Sequence, residues 1–242
     1  MIVQKYWFAD LSSEEIEEIR RKREIVVVVD LWAATTNLVL MLGKKPARLI
    51  IVNDDKFPEA HLVYPGAILI GESQGIPKEK FASSNEPSEI SQVNIYDKNV
   101  LYITFNGTRV LGAFSNRERG LVFAASLANY WIVADYLKKA NVGKISFIAS
   151  GNLTGELQGR EFTEDWMVAE LLEKELKGES YDYSKVQTRI KKVVEDIYGV
   201  QSSLSPEKRF WPFIFGAQVD ILPTAFMNGE GFVEIVDYVS ER

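Results

Sequence analysis

The chain has 242 residues, a formal net charge of −6, 46% hydrophobic residues and no cysteine. This composition suits a full hydrophobic core, so we expect one domain over residues 1–242. The acidic balance disfavours a nucleic-acid or anionic-membrane partner. Without cysteine and with His61 as the single histidine, any metal site must use mainly oxygen ligands, which favours Mg²⁺ or another hard cation.

Two further features bear on localisation. Residues 1–5 lack the pattern of a signal peptide. No apolar run approaches the roughly 20 residues that a membrane-spanning helix needs. We therefore expect a cytoplasmic protein. The sequence is also compatible with a homo-oligomer.

The first predicted elements are a helix and a buried strand. Residues 11–23 are amphipathic and begin with a Ser-x-x-Glu capping box at Ser12 and Glu15, which predicts a surface helix. Residues 25–29 are five β-branched apolar residues, typical of a strand buried on both faces. The strand leads to Asp30, where open α/β sheets place their ligands. A plain turn or helix-capping role for Asp30 is the alternative.

The next elements bring further polar groups to strand ends. Thr35 follows Asp30 and could offer its hydroxyl to an anion at the start of a short helix over residues 36–42. Strands are predicted over residues 48–52 and 67–70, and Glu72 follows the second. Residues 76–97 show little periodicity and are predicted to form a long loop, which is often functional in a compact domain.

A strand over residues 101–104 leads into a turn suited to anions. The turn presents a guanidinium at Arg109, a hydroxyl at Thr108 and the backbone N–H groups around Asn106 and Gly107. Asn-Gly by itself indicates only a turn. An exposed ion pair is the alternative for Arg109.

The remaining elements alternate between strands and helices. They are a strand at 121–125, a helix at 129–139, a strand at 144–149, a helix from 162 to about 177, a helix at 183–198, a short strand at 217–222 and an edge strand at 232–239. Thr163 could cap its helix, and the helix dipole explains acids at Glu164 and Asp165 without a functional role. The alternation predicts a three-layer α/β/α fold with a mainly parallel or mixed sheet.

Taken together, these turns resemble the 2-phosphosulfolactate phosphatases, Mg²⁺-dependent enzymes of coenzyme M biosynthesis. The resemblance rests on short motifs in the family's order along nearly the whole chain. They are Asp30-Leu31-Trp32-Ala33-Ala34-Thr35-Thr36-Asn37, Gly71-Glu72-Ser73, the loop from Lys80 to Pro87, Thr104-Phe105-Asn106-Gly107-Thr108-Arg109, Asn129, Glu164-Asp165, and Gly216 to Asp220.

The resemblance implies a site and a reaction. It implies a phosphatase acting on a small anionic phosphorylated metabolite, with Asp30, Glu72 and Asp165 as catalytic groups. The implied metal ligands are Asp30, Glu72, Glu164, Asp165 and Asp220. The implied substrate-binding groups are Thr35, Asn85, Asn106, Gly107, Thr108, Arg109 and Asn129.

The chain departs from the family pattern at four of these positions. Ala33 and Ser73 each replace an arginine, Ala82 replaces an aspartate, and Glu86 replaces a serine. These departures favour a second hypothesis, a non-catalytic homologue that binds a metabolite or anion. The nucleophile of a hydrolase could be a metal-activated water or Asp30 itself, although the Asp-x-Asp-x-Thr motif of aspartyl-phosphate enzymes is interrupted by Trp32.

Overall fold

The computed structural model describes residues 2–22, 24–115, 120–140, 142–151, 163–198, 211–214 and 219–238. These residues form a nine-stranded mixed sheet. The strands are β1 (Ile2–Trp7), β2 (Ile25–Val29), β3 (Arg48–Ile51), β4 (Ile68–Gly71), β5 (Asn99–Ile103), β6 (Val122–Ala125), β7 (Lys144–Ala149), β8 (Pro223–Met227) and β9 (Val233–Asp237).

Helices of differing length connect the strands. They are α1 (Ser13–Arg21), α2 (Ala34–Gly43), α3 (Phe57–Val63), α4 (Pro87–Gln92), α5 (Gly107–Phe114), α6 (Tyr130–Ala140), α7 (Glu164–Lys177), α8 (Tyr183–Tyr198) and α9 (Trp211–Ile214). In the described part of the chain, none of them is both long and apolar enough to cross a membrane.

The sheet order is β1-β7-β2-β6-β8-β9-β3-β5-β4. It contains two groups of parallel strands, β1-β7-β2-β6 and β3-β5-β4. The β8–β9 hairpin joins them, because β8 pairs antiparallel with β6 and β9 pairs antiparallel with β3. The predicted mixed sheet is therefore confirmed.

Strand β2 shows why the fold has three layers. Val27 and Val29 lie in an apolar cluster with residues of α6 and α7, whereas Val26 and Val28 lie in a second cluster with residues of α2 and α5. Each face of the strand is therefore covered by helices. Burying a valine completely is worth about 1.5–3 kcal/mol, so this strand anchors both layers.

The sheet curves strongly, and this curvature creates the site described below. Five strand-to-strand steps separate β2 from β5, about 24 Å across a flat sheet. Nevertheless, a Cβ on Gly107, just after β5, would lie 2.7 Å from Asp30 Oδ2, just after β2. Accumulated strand twist of about 20–25° per step contributes to this closure. Leu38 of helix α2 packs in one cluster with residues of both strand groups.

The helix predictions are largely confirmed. Both hydrogen bonds of the Ser12–Glu15 capping box are present, and the predicted bounds of α8 match. The predicted cap at Thr163 is wrong in one respect, because its side chain makes no capping hydrogen bond. The predicted loop over residues 76–97 contains α4, which begins at Pro87, a residue whose fixed φ favours the first helical turn.

Two strand predictions in the C-terminal region are wrong, and one strand was not predicted. Residues 219–222 are not a strand, and the strand begins instead at Pro223. Strand β9 is not at an edge, because it pairs with both β8 and β3. The edges are β1, which the sequence analysis did not predict, and β4. Residues 217 and 218, Phe162 and the Gly216 motif position lie outside the described residues.

Candidate active site

Asp30 lies at the centre of the site and is only 6% exposed. Its Oδ1 accepts a hydrogen bond of 3.0 Å from the Ala34 N–H at the start of α2, so the predicted capping role is real. Its Oδ2 faces Gly107, where a side chain would collide with it. Burial raises the pKa of Asp30, against the opposing effect of hydrogen-bond donors at Ala34, Ser150 and Gly107. Asp30 therefore combines a capping role with a buried charge.

Glu72 brings a second carboxylate from the end of β4. Burial and then the charge of Asp30 raise its pKa, which places the two carboxylates within electrostatic reach of each other. Gly71 positions it: φ is 116°, and the Ile103 carbonyl oxygen lies 1.9 Å from where a Cβ would be. Only glycine fits there, because other residues disfavour positive φ and would meet that carbonyl.

Asp165 is also buried, and each of its oxygens accepts a backbone hydrogen bond. Its Oδ1 accepts from the Leu31 N–H at 2.7 Å and its Oδ2 accepts from the Gly151 N–H at 2.9 Å. Burial, and then the charges of Glu164 and Asp30, raise its pKa well above the ordinary value. Asp165 thus ties the turn after β2 to the turn after β7. Glu164 is 5% exposed at the start of the same helix.

Three of the predicted substrate-binding residues have their polar groups occupied by the fold. The Thr35 hydroxyl lies 2.7 Å from the Asp30 carbonyl oxygen and 2.8 Å from that of Ala125. The Thr108 hydroxyl donates to the Thr104 carbonyl at 2.8 Å. Asn129 is buried, and its amide nitrogen donates to the Ala124 and Ile221 carbonyls, both at 3.1 Å. These three residues hold the turns in place.

Arg109 has a different environment. It lies in the first turn of α5, is exposed, and makes no ion pair within the described part of the chain. The ion pair considered as its alternative role is therefore absent from these residues. Asn106 precedes the helix, is half-buried and makes no capping hydrogen bond with its side chain. Both residues are available to a ligand.

The structure does not bring Asp220 to the carboxylates by any described contact. Asp220 is exposed, and the neighbouring Val219 N–H donates to the Ala128 carbonyl at 3.1 Å. Two of the departures from the family pattern are also accounted for locally. Ala33 is 2% exposed, and the Ser73 hydroxyl accepts from the N–H groups of Gly75 and Ile76.

The sequence analysis missed Ser150 and Tyr102 near the carboxylates, and it included Asn37 only as the last residue of a motif, without a site role. The Ser150 hydroxyl, at the end of β7, is buried without a well-formed hydrogen bond, although it lies close enough to lower the pKa of Asp30. Asn37 and Tyr102 are fully buried and hydrogen-bonded to Asn85. The Asn37 position next to Thr36 was visible in the sequence, but nothing local identified Tyr102 within its apolar strand.

The donor set can be tested against Mg²⁺. No three acidic or histidine side chains of the described residues gather into a metal-binding group. However, Mg²⁺ is usually held by one or two carboxylates, with water and substrate phosphate completing its octahedron. Asp30 and Glu72 are two mutually repelling carboxylates, and the Ser150 hydroxyl adds a buried oxygen. These residues fit a hard cation with few protein ligands.

Asp30, Glu72 and the exposed Arg109 all follow strands of an α/β sheet, as in the class of α/β proteins that bind small ligands at their strand ends. The comparisons with known proteins agree with this class. Residues 10–221 match the family described as 2-phosphosulpholactate phosphatase, so the chain belongs to that family.

Relatives named "probable 2-phosphosulfolactate phosphatase" come from several organisms. One from Clostridium perfringens strain SM101 is 28% identical over 206 residues, covering 83% of this chain and 80% of the relative. One from Thermoplasma acidophilum is 27% identical over 175 residues, covering 72% and 75%. One from Caldicellulosiruptor saccharolyticus is 30% identical over 145 residues, covering 57% and 58%. Family membership and these names support a phosphatase.

Proposed function

We propose that the protein is a Mg²⁺-dependent phosphatase of a small anionic phosphomonoester, with 2-phosphosulfolactate or a related metabolite as substrate. The observation that carries the proposal is the pairing of the buried Asp30 with the half-buried Glu72, two carboxylates whose charges interact. Such a pair is unfavourable without a counter-ion, because burial and like charge both disfavour the ionised forms. A bound cation and a phosphoryl group would complete this site.

In this proposal, Asp30 and Glu72 hold the metal, with Ser150 as a neutral oxygen nearby. Bound Mg²⁺ would supply positive charge to the phosphoryl oxygens and to the attacking oxygen. In this proposal, Asp165 orients the turns that carry Leu31 and Gly151, and its catalytic and ligand roles rest on the family resemblance. Glu164 and Asp220 stay candidate ligands from the family resemblance alone.

Anion binding falls to Arg109, Asn85 and Asn106, which lie at or near the N-terminus of α5 or in the loop after β4. The positive end of a helix dipole and a planar guanidinium both favour phosphoryl oxygens. In hydrolysis, a water oxygen bonds to phosphorus, the bond from phosphorus to the ester oxygen breaks, and a proton passes to that leaving oxygen. The products are an alcohol and inorganic phosphate. For 2-phosphosulfolactate the alcohol would be sulfolactate, which places the proposed reaction in coenzyme M biosynthesis.

The second candidate function is a metabolite-binding protein without catalysis. It is favoured by the buried Ala33 and the exposed Ala82, which leave no guanidinium or carboxylate where the family has them. A substrate that carries a sulfonate, a carboxylate and a phosphate requires several positive groups.

If the protein is a phosphatase, a less charged phosphomonoester suits this site better on electrostatic grounds.

A phosphatase assay separates the two functions. The purified protein should release phosphate from 2-phosphosulfolactate or another small phosphomonoester with Mg²⁺, and lose this activity in EDTA. Asp54→Asn, a change in the exposed turn Asp54–Lys56, should leave the rate unchanged. Binding of these esters without release of phosphate would establish the non-catalytic function instead. Cytoplasmic localisation and homo-oligomerisation stay predictions.

A further inference from the structure

A chain of hydrogen bonds runs from the buried face of the site to Glu72. Asn37 Nδ2 donates to the Asn85 backbone oxygen at 3.0 Å and to Asn85 Oδ1 at 2.8 Å. The Tyr102 hydroxyl donates to the same Oδ1 and receives from Asn37 Nδ2 at 3.1 Å. At the outer end, Asn85 Nδ2 lies 3.5 Å from Glu72 Oε1. Helix α2 and strand β5 thus both hold the Asn85 amide.

The network determines which way each amide points. A backbone carbonyl can only accept, so the Asn37 atom 3.0 Å from the Asn85 carbonyl oxygen must be its nitrogen. The Asn85 side-chain atom next to that nitrogen must then be its oxygen, which leaves the Asn85 NH₂ group facing Glu72. The carboxylate at that end is also an obligate acceptor. Both ends of the chain therefore require the same orientation.

The outer bond is the weakest of the chain. At 3.5 Å it is at the limit of a hydrogen bond, whereas the two inner contacts of Asn37 with Asn85 are 3.0 Å or shorter. Asn85 is also half-buried, while Asn37 and Tyr102 are fully buried. The inner hydrogen bonds thus fix the orientation of the Asn85 NH₂ group, while its bond to Glu72 is weak. An incoming ligand can therefore accept a hydrogen bond from this group.

We propose that Tyr102 and Asn37 are positioning residues that fix Asn85 as a hydrogen-bond donor to a phosphoryl oxygen. With the amide reversed, Asn85 would present a carbonyl oxygen, which repels an anion. This inference rests on the proposed function of the site. It goes further by assigning a role to two buried residues that do not themselves contact the ligand.

One feature of Asn37 distinguishes this role from ordinary packing. Its own Oδ1 is buried without a hydrogen-bond partner. A buried acceptor without a donor is unfavourable and rare. The hydrogen bonds of Asn37 are therefore made by its nitrogen, whose two N–H donors lie within reach of three acceptors. A purely apolar contact at position 37 would avoid the unfavourable oxygen but would release the Asn85 amide.

The decisive variant is Tyr102→Phe, with Tyr64→Phe as its matched control. Tyr64 is also a buried tyrosine whose hydroxyl contacts an asparagine amide, Asn228 Nδ2 at 2.9 Å. Its ring packs against Arg48 at the start of β3, away from the site. Tyr102→Phe should weaken the binding of inorganic phosphate by about three- to tenfold, the effect of one hydrogen bond, and Tyr64→Phe should leave it unchanged. A thermal midpoint should be measured for both.

A second measurement observes the amide directly. With ¹⁵N-asparagine labelling, the Asn85 NH₂ signals are identified by their loss in Asn85→Ala. In wild type the two protons should be well separated. In Tyr102→Phe and in Asn37→Asp, whose carboxylate attracts the NH₂ group inward, they should shift or broaden.

The outcomes separate this inference from the proposed function. Unchanged Asn85 signals in both variants would overturn the positioning role. If the wild type binds phosphate, an equal affinity in Tyr102→Phe would overturn it too. A wild type without phosphate affinity, whose Asn85 signals nevertheless respond to Tyr102→Phe, would overturn the proposed function and leave the positioning of the amide supported.

Discussion

Gly107 and Asp30 lie so close that no side chain fits between them. A Cβ at position 107 would be 2.7 Å from Asp30 Oδ2 and 2.4 Å from the Ala34 Cβ. The absence of a side chain at Gly107 therefore lets helix α5 approach the carboxylate and lets its backbone N–H help to hold it. The distance between these two residues determines whether the segment after β2, which carries Asp30, meets the start of α5, which carries Arg109.

Gly107→Ala should push the start of α5 away from Asp30. Overpacking of this kind typically reduces the free energy of unfolding by about 1–3 kcal/mol, and phosphatase activity should fall with it. The measurements are urea denaturation and kcat/KM. Gly112→Ala in the same helix is the control, because its added methyl group would meet no atom within 4 Å. Alanine is the better helix former, so Gly112→Ala should stabilise the protein by about 0.5–1 kcal/mol. If both variants behave alike, the close approach has no role.

Asp30→Asn should have opposite effects on metal binding and on metal-free stability. Asparagine keeps an oxygen for the Ala34 N–H but removes a buried charge, so the metal-free protein should become more stable. Mg²⁺ affinity should fall by at least about tenfold, because even outer-shell changes at metal sites cost 10–100-fold. Calorimetric titration and thermal denaturation in EDTA provide the two measurements. An unchanged Mg²⁺ affinity would remove Asp30 from the metal site.

Arg109→Lys should retain the fold while weakening anion binding. Lysine cannot reproduce the planar fork of the guanidinium, so phosphate binding should lose about 1.5–3 kcal/mol, the usual worth of a hydrogen bond to a charged group. The thermal midpoint should not change, because Arg109 is exposed and has no ion-pair partner in the described residues. Arg21→Lys, in an exposed pair with Glu17, is the control. Equal phosphate affinities for wild type and Arg109→Lys would exclude the arginine as an anion clamp.

The raised pKa values of Asp30, Glu72 and Asp165 predict the effect of pH on stability. Their folded pKa lies above the unfolded value, so the metal-free folded state binds more protons than the unfolded chain. The free energy of unfolding should therefore fall as the pH rises from 5 through the raised values, by up to about 1.4 kcal/mol per unit and group. Beginning at pH 5 avoids salt-bridged acids such as Glu173, whose pKa is lowered.

Urea unfolding between pH 5 and 8 in EDTA measures this slope. Asp165→Asn removes one of the three groups and should flatten it. Excess Mg²⁺ should also flatten it, since a cation favours the ionised carboxylates that hold it. A metal-free stability that rises over this range would contradict the assignment of buried, mutually repelling carboxylates.

Local patterns predicted those parts of the fold that local interactions create. The run of β-branched residues in β2 and the reciprocal capping of Ser12 and Glu15 need no distant partner, and both were visible in the sequence. Strand β1 was missed because its polar Gln4 and Lys5 hide its pairing with β7. Alternation in β9 suggested an edge, but β8 and β3 cover both of its sides.

The candidate site shows the same division. Asp30, Glu72 and Arg109 follow strands, and that position is what indicated them. The contacts of Tyr102 with Asn37 and Asn85 depend on how α2 and the segment after β4 pack together, which no sequence spacing encodes. The order of the strands was not predicted either; Gly107 meets Asp30 although five strand-to-strand steps separate β2 from β5.

The β8–β9 hairpin acts as a spacer between the two parallel groups. None of Asp30, Glu72 and Asp165 lies on it, and Asp30 and Glu72 follow strands of different parallel groups. The hairpin therefore determines how far apart the two parallel groups lie, and with that distance the width of the site. Activity should consequently report on a part of the chain remote from the chemistry, and a search for inactivating substitutions should recover positions in β8 and β9 alongside those at the carboxylates.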